Sequence, residues 1–124
     1  MTQTIRAFLL IEAASFATAA LVHFGVLTHG YEHQAAGTAE SLIAVVLLIG
    51  FALSWASRTS TRAVGLVAQA FALLGTLVGV FTIAIGVGPR TLPDIAYHAA
   101  LVAVLVGGLL ATARAPTARS TQRA

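Results

Sequence analysis

The chain alternates between long apolar segments and short polar connections. Four apolar segments cover residues of about 5–27, 36–56, 63–87 and 93–113. As a helix, each is long enough to cross a hydrocarbon core of about 30 Å. Because the connections are short, successive helices are expected to be antiparallel neighbours. The pattern predicts an all-α integral membrane protein, a four-transmembrane-helix up-down-up-down bundle over residues 1–113.

The chain ends differ from this pattern. The first segment resembles a signal peptide, with Ala17-Thr18-Ala19 as its cleavage site, but Glu12 interrupts it and apolar character continues beyond that site. We therefore expect an uncleaved helix. Residues 114–124 are rich in Arg, Thr, Ser and Ala and are predicted to form a disordered basic tail. The composition agrees with a membrane protein, since 58% of residues are hydrophobic and the mean hydropathy is +0.91.

The basic residues of the chain predict its orientation. The net charge of +3 comes with seven arginines and no lysine, and no basic stripe interleaved with aromatics is present, which argues against nucleic-acid binding. One face of the predicted bundle holds most of the arginines: Arg6, Arg58, Arg62, Arg114, Arg119 and Arg123. Arg90 lies at the other face. The positive-inside rule then predicts both termini in the cytoplasm and the histidine-rich loop outside a bacterial-type inner membrane.

The third segment carries small residues at three- and four-residue spacing. This stripe consists of Gly65, Ala68, Ala72, Gly75, Gly79, Thr82 and Gly86. Small residues let helix backbones approach closely in lipid, and Gly75 to Gly79 is a GxxxG motif. The stripe is compatible with packing inside one bundle or between protomers. Because four helices in 124 residues make a thin bundle, we expect a homo-oligomer.

Candidate chemistry lies between the first and second segments. Three of four histidines and two of four carboxylates lie in residues 23–40. Counted from the helix ends, His23, Glu40 and His98 are expected at similar depth in the bundle. Intramembrane ionisable groups are costly and indicate a functional site. Imidazole and carboxylate groups on separate helices predict a site for iron, zinc or copper, with His23, His33, Glu40 and His98 as candidate ligands.

Other polar residues are expected to support this site. Asp94 and His98 are four residues apart and share a helical face, and Thr91 before Asp94 predicts a capped helix start. Tyr97 is a candidate proton donor. Glu12 lies deeper, where a structural pair with Gln69 is the favoured interpretation and a proton path the alternative. The absence of cysteine excludes disulfides and thiolate ligands.

Several stretches resemble the styrene oxide isomerase family, small four-helix membrane enzymes that carry a haem. They are HQAAGTAE at residues 33–40 leading into LIAVVLLIG, then TRAVGLVAQAFALLG, and Pro93-Asp94-Ile95 at the start of the last helix. In that family a histidine just before the second helix ligates the haem iron, so the resemblance implies His33 as the ligand. The asparagine that follows this histidine in the family is absent, and Glu40 is the nearest polar residue within the helix.

Three functional hypotheses follow. The first is a membrane protein that binds haem or a transition metal near its outer face and isomerises a lipophilic substrate. The second is a metal-free acid–base isomerase or cyclase that uses Glu40, Asp94 and His98 on a hydrophobic small molecule from the bilayer; it predicts an apolar cavity ending at these residues. The third is an oligomeric transporter or channel with a path lined by Glu12, Gln69 and the small-residue stripe, which requires Glu12 to face a pore.

Overall fold

The computed structural model describes residues 1–56 and 60–116, and the described residues contain four α-helices and no strand. The helices are α1 (Thr2–His23), α2 (Gln34–Ala56), α3 (Thr61–Ala84) and α4 (Leu92–Ala113). Each is long and apolar enough to cross a membrane. The all-helical prediction is confirmed. Residues 117–124 of the predicted tail and residues 57–59 of the middle connection lie outside the described residues.

Helices α1 and α3 end earlier than predicted, at His23 and Ala84 instead of near residues 27 and 87. In both, a glycine with positive φ follows the helix, Gly25 at 72° and Gly86 at 82°. The backbone N–H of Val26 bonds the Leu21 carbonyl, and Val87 bonds Thr82 in the same way. These are Schellman motifs, in which a left-handed residue closes the last turn. Apolar character alone continues past these glycines, so the predicted ends were wrong.

The other two helices begin with side-chain caps at the same end of the bundle. Thr91 and Asp94 form a capping box at the start of α4, as the sequence predicts. At the start of α2, Nδ1 of His33 accepts a hydrogen bond from the N–H of Ala36 at 3.2 Å. A capping imidazole satisfies a backbone donor that the first turn leaves unpaired. Helix α2 therefore begins at Gln34, two residues before the predicted start.

Successive helices pack side by side, and α1 contacts all three other helices. The start of α1 meets the start of α3 and the end of α4, because a Cβ on Gly65 would contact Ile5 and Thr112. Helices that follow each other in the chain therefore run antiparallel, and α1 and α3 run parallel. The core between them is built from apolar side chains of all four helices: Ile5, Leu9, Phe16, Leu47, Ala72, Leu101 and Leu105.

Most of the small-residue stripe lies on α3 and packs against other helices of the bundle, whereas Gly86 follows the helix and is exposed. A Cβ on Gly75 would lie 2.7 Å from Ile43, and one on Gly79 would lie 3.3 Å from Nε2 of His98. Ala68 and Ala72 are 3% and 0% exposed. Of the two roles open to the stripe, packing within one chain is the one observed. The expected homo-oligomer stays a prediction, since the stripe no longer argues for it.

Candidate functional site

His23, the last residue of α1, lies between carboxylates from two other helices. Its Nδ1 is 2.7 Å from Oε2 of Glu40 on α2, and its Nε2 is 3.3 Å from Oδ1 of Asp94 on α4. The three residues are 2%, 5% and 8% exposed. We call them the His23 triad. His23 and Glu40, which were expected at similar depth, are in direct contact, and the other nitrogen of His23 contacts Asp94 instead of His98.

The proton content of the triad follows from its hydrogen bonds. A neutral imidazole has one N–H and one lone pair, and an ionised carboxylate only accepts. Two contacts with carboxylate oxygens therefore require a second proton, either on the ring or on one of the carboxyl groups. The three side chains of His23, Glu40 and Asp94 then share two protons and carry a net charge of −1. A buried set of this kind is suited to holding and passing a proton.

The side chain of Asp94 is held by hydrogen bonds in the first turn of α4. Its Oδ2 accepts a hydrogen bond from the backbone N–H of Thr91 at 3.2 Å and a second from the Thr91 hydroxyl. The N-terminus of a helix also favours negative charge. These contacts occupy Oδ2 and leave Oδ1 directed to His23. Asp94 therefore holds the imidazole in place from the end opposite to Glu40.

His98 lies one turn further along α4 and has one free nitrogen. Its Nδ1 lies 2.8 Å from the backbone oxygen of Asp94, an acceptor, so Nδ1 carries the proton. Within the described residues, Nε2 has no hydrogen-bond partner and lies against Gly79 of α3. In the neutral ring Nε2 is therefore a base. The glycine provides the space that this ring edge occupies.

His33 and Tyr97 are close to the site, but their polar atoms are engaged elsewhere. Nδ1 of His33 caps α2, and Nε2 lies 3.4 Å from the Val87 carbonyl, while the ring stands edge-on to His23 at 6.4 Å. The Tyr97 hydroxyl donates to the Ser15 carbonyl at 3.1 Å. The Tyr97 ring also packs edge-on against His98. Both residues position their neighbours in this arrangement.

An apolar cavity of about 190 Å³ reaches the site between α2 and α3. We call it cavity A. Phe16, Ile43 and Val78 are among its apolar lining residues, and the ionisable residues in its wall are His33, Glu40 and His98. It is smaller than the roughly 300–1,000 Å³ of pockets for drug-sized ligands, so it suits a small molecule. The acid–base hypothesis expected an elongated cavity ending at Glu40, Asp94 and His98; cavity A reaches Glu40 and His98, whereas Asp94 lines a different space.

A second space lies on the other side of the triad, between α1 and α4. We call it cleft B; its volume is about 360 Å³, and its lining includes Val22, Tyr31, His23 and Asp94. Tyr31 belongs to the polar connection between α1 and α2. Within the described residues, no residue lines both cavity A and cleft B. The contact between His23 and Glu40 therefore crosses the partition between them.

The histidine and carboxylate side chains of the site were the predicted ligands of a haem or metal ion. Among the described residues, no group of three or more His, Asp or Glu side chains is arranged to hold a metal ion. His23 and His33 have both ring nitrogens engaged in hydrogen bonds. With these hydrogen bonds in place, neither His23 nor His33 has a free nitrogen that could bind a metal ion. Binding of haem, iron, zinc or copper stays a prediction.

The connection after α1 is polar and lies outside the bundle. His29 and Glu32 contact each other at 3.2 Å on exposed side chains. Hydrogen bonds from its own backbone N–H and from that of Gly30 hold the pKa of Glu32 below its usual range. The side chain of Glu32 also packs against Gly25. These residues shape the loop that borders cleft B, in agreement with their interpretation as surface groups.

A second buried polar cluster lies toward the opposite end of the bundle. Nε2 of Gln69 donates to Oε1 of Glu12 at 3.1 Å, and the Thr112 hydroxyl donates to Oε1 of Gln69 at 2.9 Å. All three residues are 0% exposed. The expected pair of Glu12 and Gln69 is confirmed, and Glu12 faces its own bundle. Sequence reasoning missed Thr112 and also Gly108, whose missing Cβ makes room for Glu12 and Gln69.

The chain was compared with models of known protein families, with curated protein sequences and with solved structures, and no match was found in any of the three. The description of the fold and the site therefore comes from the structure itself. The structure is a bundle of four apolar helices in which a buried histidine lies between two carboxylates, beside an apolar cavity. The resemblance to styrene oxide isomerases stays a prediction.

Proposed function

We propose that this chain is an integral membrane enzyme that isomerises a small lipophilic molecule by acid–base chemistry in cavity A. The observation that carries the proposal is the pairing of Glu40 and His98 in the wall of one apolar cavity. The orientation inferred from the arginines places this site toward the extracytoplasmic face of the membrane. The bilayer supplies the ligand.

The two groups have complementary roles. Nε2 of His98 has a free lone pair in the neutral ring and takes a proton from the ligand. Glu40, which exchanges a proton with Nδ1 of His23, delivers a proton to another atom of the ligand. One proton is removed from the ligand and one is returned to it, so the reaction is an isomerisation with no change in composition. Before the next turnover, His98 releases its proton to water and Glu40 takes one up. An apolar cavity keeps water from competing for these protons.

The carboxylate of Asp94 and the hydroxyl of Tyr97 act as positioning groups in this scheme. Asp94 holds His98 through its backbone carbonyl and holds His23 through its side chain. Tyr97 packs against the His98 ring while its hydroxyl bonds to α1. Neither polar group has to contact the ligand. Both fix the geometry of groups that do.

The test uses 3-cyclohexen-1-one, a small lipophilic ketone that becomes 2-cyclohexen-1-one by loss of one proton and gain of another. Binding is followed by the NMR signals of ¹⁵N-labelled His98 in detergent micelles, and turnover by the absorbance of the conjugated product. We expect His98 to shift on addition of the ketone. The variants Glu40→Gln and His98→Gln are expected to lower the rate of ketone isomerisation by about 10²–10⁴-fold. The control His29→Gln changes an exposed histidine outside the cavity and retains the wild-type behaviour.

The same protein samples also test the cofactor hypothesis. An absorption spectrum and elemental analysis are recorded for the wild type and for His23→Gln. A colourless, metal-free sample whose His98 responds to the ketone supports the proposal. A Soret band or stoichiometric metal in the wild type supports cofactor binding and overturns the proposal, whether or not it is lost in His23→Gln, since the resemblance implies His33 as the haem ligand. Absence of any His98 shift at saturating ketone overturns it as well.

A further inference from the structure

The His23 triad separates two spaces that reach it from opposite sides. Cavity A is lined by Glu40 and His98, and cleft B by His23 and Asp94. Both spaces have mainly apolar linings, and cleft B reaches the connection between α1 and α2 at Thr28 and Tyr31. Glu40 lies in the wall of cavity A, so a proton that enters through cleft B reaches Glu40 by way of Asp94 and His23. Cleft B brings the other end of the triad close to the polar connection.

We propose that Asp94 and His23 form a proton relay that links cleft B to Glu40 in cavity A. A proton from water in cleft B reaches Oδ1 of Asp94 and passes to Nε2 of His23 over 3.3 Å. The ring then releases the proton on Nδ1 to Oε2 of Glu40 over 2.7 Å. One proton enters the ring at Nε2 and one leaves it from Nδ1, so the charge of His23 is unchanged, and the ring returns to the Nδ1–H tautomer before the next transfer. The relay rests on the proposed function, since it supplies the acid of that reaction.

Among the ionisable groups near His23, Asp94 and Glu40 are the two that contact its ring nitrogens. Helix α2 presents Glu40, α4 presents Asp94, Tyr97 and His98, and the connection presents His33 edge-on. Helix α3 contains one ionisable side chain, Arg62, at the other end of the bundle. Both nitrogens of His33 bond to backbone groups, so His33 does not extend the path. His23 is the residue with one nitrogen directed to each carboxylate.

The relay is tested by the rate at which the Nδ1–H of His23 exchanges with D₂O, measured by NMR on ¹⁵N-histidine-labelled protein in micelles. Asp94→Asn removes the proton-carrying carboxylate with little change in shape. Val22→Trp fills cleft B, and Ala39→Trp fills cavity A as its matched control. We expect exchange to slow by at least about tenfold in Asp94→Asn and Val22→Trp and to stay at the wild-type rate in Ala39→Trp.

The two proposals fail in different ways. Wild-type exchange in Asp94→Asn or in Val22→Trp overturns the relay, as does slowed exchange in Ala39→Trp alone. Loss of ketone binding in Ala39→Trp, with binding retained in Val22→Trp, supports the ligand site. Absence of ketone binding in the wild type overturns the function and leaves the relay standing on its exchange rates. If Val22→Trp does not fold, Thr18→Trp at the exposed rim of cleft B replaces it.

Discussion

Nδ1 of His23 lies 2.7 Å from Oε2 of Glu40, and the two side chains join the end of α1 to the start of α2 inside the bundle. This distance is that of a charge-assisted hydrogen bond. The ten-residue connection between α1 and α2 leaves the bundle and returns, yet the two residues meet at the same depth. The contact is therefore a structural tie as well as part of the proposed site.

Removal of the Glu40 carboxylate is expected to destabilise the bundle. Glu40→Ala leaves His23 without this buried partner, and breaking such a pair costs about 3–5 kcal/mol. Glu40→Gln keeps an oxygen that accepts from Nδ1–H and should cost less, about 1–2 kcal/mol. Unfolding by SDS in mixed micelles measures both. Ser41→Ala is the control, since its hydroxyl bonds within α2. Equal stability of Glu40→Ala and Ser41→Ala would contradict the prediction.

Two adjacent glycines of α4 should respond in opposite directions to alanine. A Cβ on Gly108 would contact Oε1 of Glu12 and lie 2.5 Å from Nε2 of Gln69, whereas a Cβ on Gly107 would have nothing within 4 Å. We expect Gly108→Ala to cost about 1–3 kcal/mol through overpacking. Gly107→Ala should stabilise α4 by about 0.5–1 kcal/mol because alanine is the better helix former. The same SDS titration compares them, and a neutral Gly108→Ala would show that the cluster can rearrange.

The start of α1 is tied to the end of α2 by Arg6. Its guanidinium donates to the Ser54 carbonyl at 2.7 Å, and its Cζ lies 3.8 Å from the ring centroid of Trp55. Trp55 is the chain's only tryptophan, so its fluorescence reports on this contact. We expect Arg6→Ala to lower the fluorescence anisotropy of Trp55 and to cost about 1–3 kcal/mol.

Arg62→Ala is the matched control for Arg6→Ala. The Arg62 guanidinium bonds to the Ala113 carbonyl on α4 and is not a partner of Trp55 in the described contacts. Its removal should leave the anisotropy unchanged. An equal fall in both variants would mean that loss of arginine loosens this end of the bundle in general, and the specific role of Arg6 would be rejected.

The sidedness inferred from the arginines can be measured directly because the chain has no cysteine. His29→Cys places a thiol on an exposed side chain of the α1–α2 connection, and Gln122→Cys places one in the predicted tail. In intact cells that express the protein, a membrane-impermeant maleimide should label position 29 and not position 122. Labelling of position 122 alone would reverse the orientation and place the His23 triad toward the cytoplasm.

The number, type and approximate length of the helices could be predicted from the chain alone. Apolar runs long enough to span a membrane must satisfy their backbone groups internally, so a helix is the result whatever the neighbours are. The capping box at Thr91 and Asp94 was predictable for a related reason, because it involves only four consecutive residues. The pair of Glu12 and Gln69 could also be expected, since two polar groups at equal depth in an apolar bundle have few other hydrogen-bond partners.

Which polar groups meet around His23 was decided by the tertiary structure. Residue spacing gives depth along a helix, but the rotation of each helix about its axis is set by packing against all its neighbours. That rotation brings Asp94, and not His98, to Nε2 of His23, and it places Nε2 of His98 beside Gly79, with His98 in the wall of cavity A. The helix ends at His23 and Ala84 likewise depend on glycines at positive φ, which apolar character does not reveal. Local energetics therefore determined the helices, and the packing of side chains from all four helices determined the site.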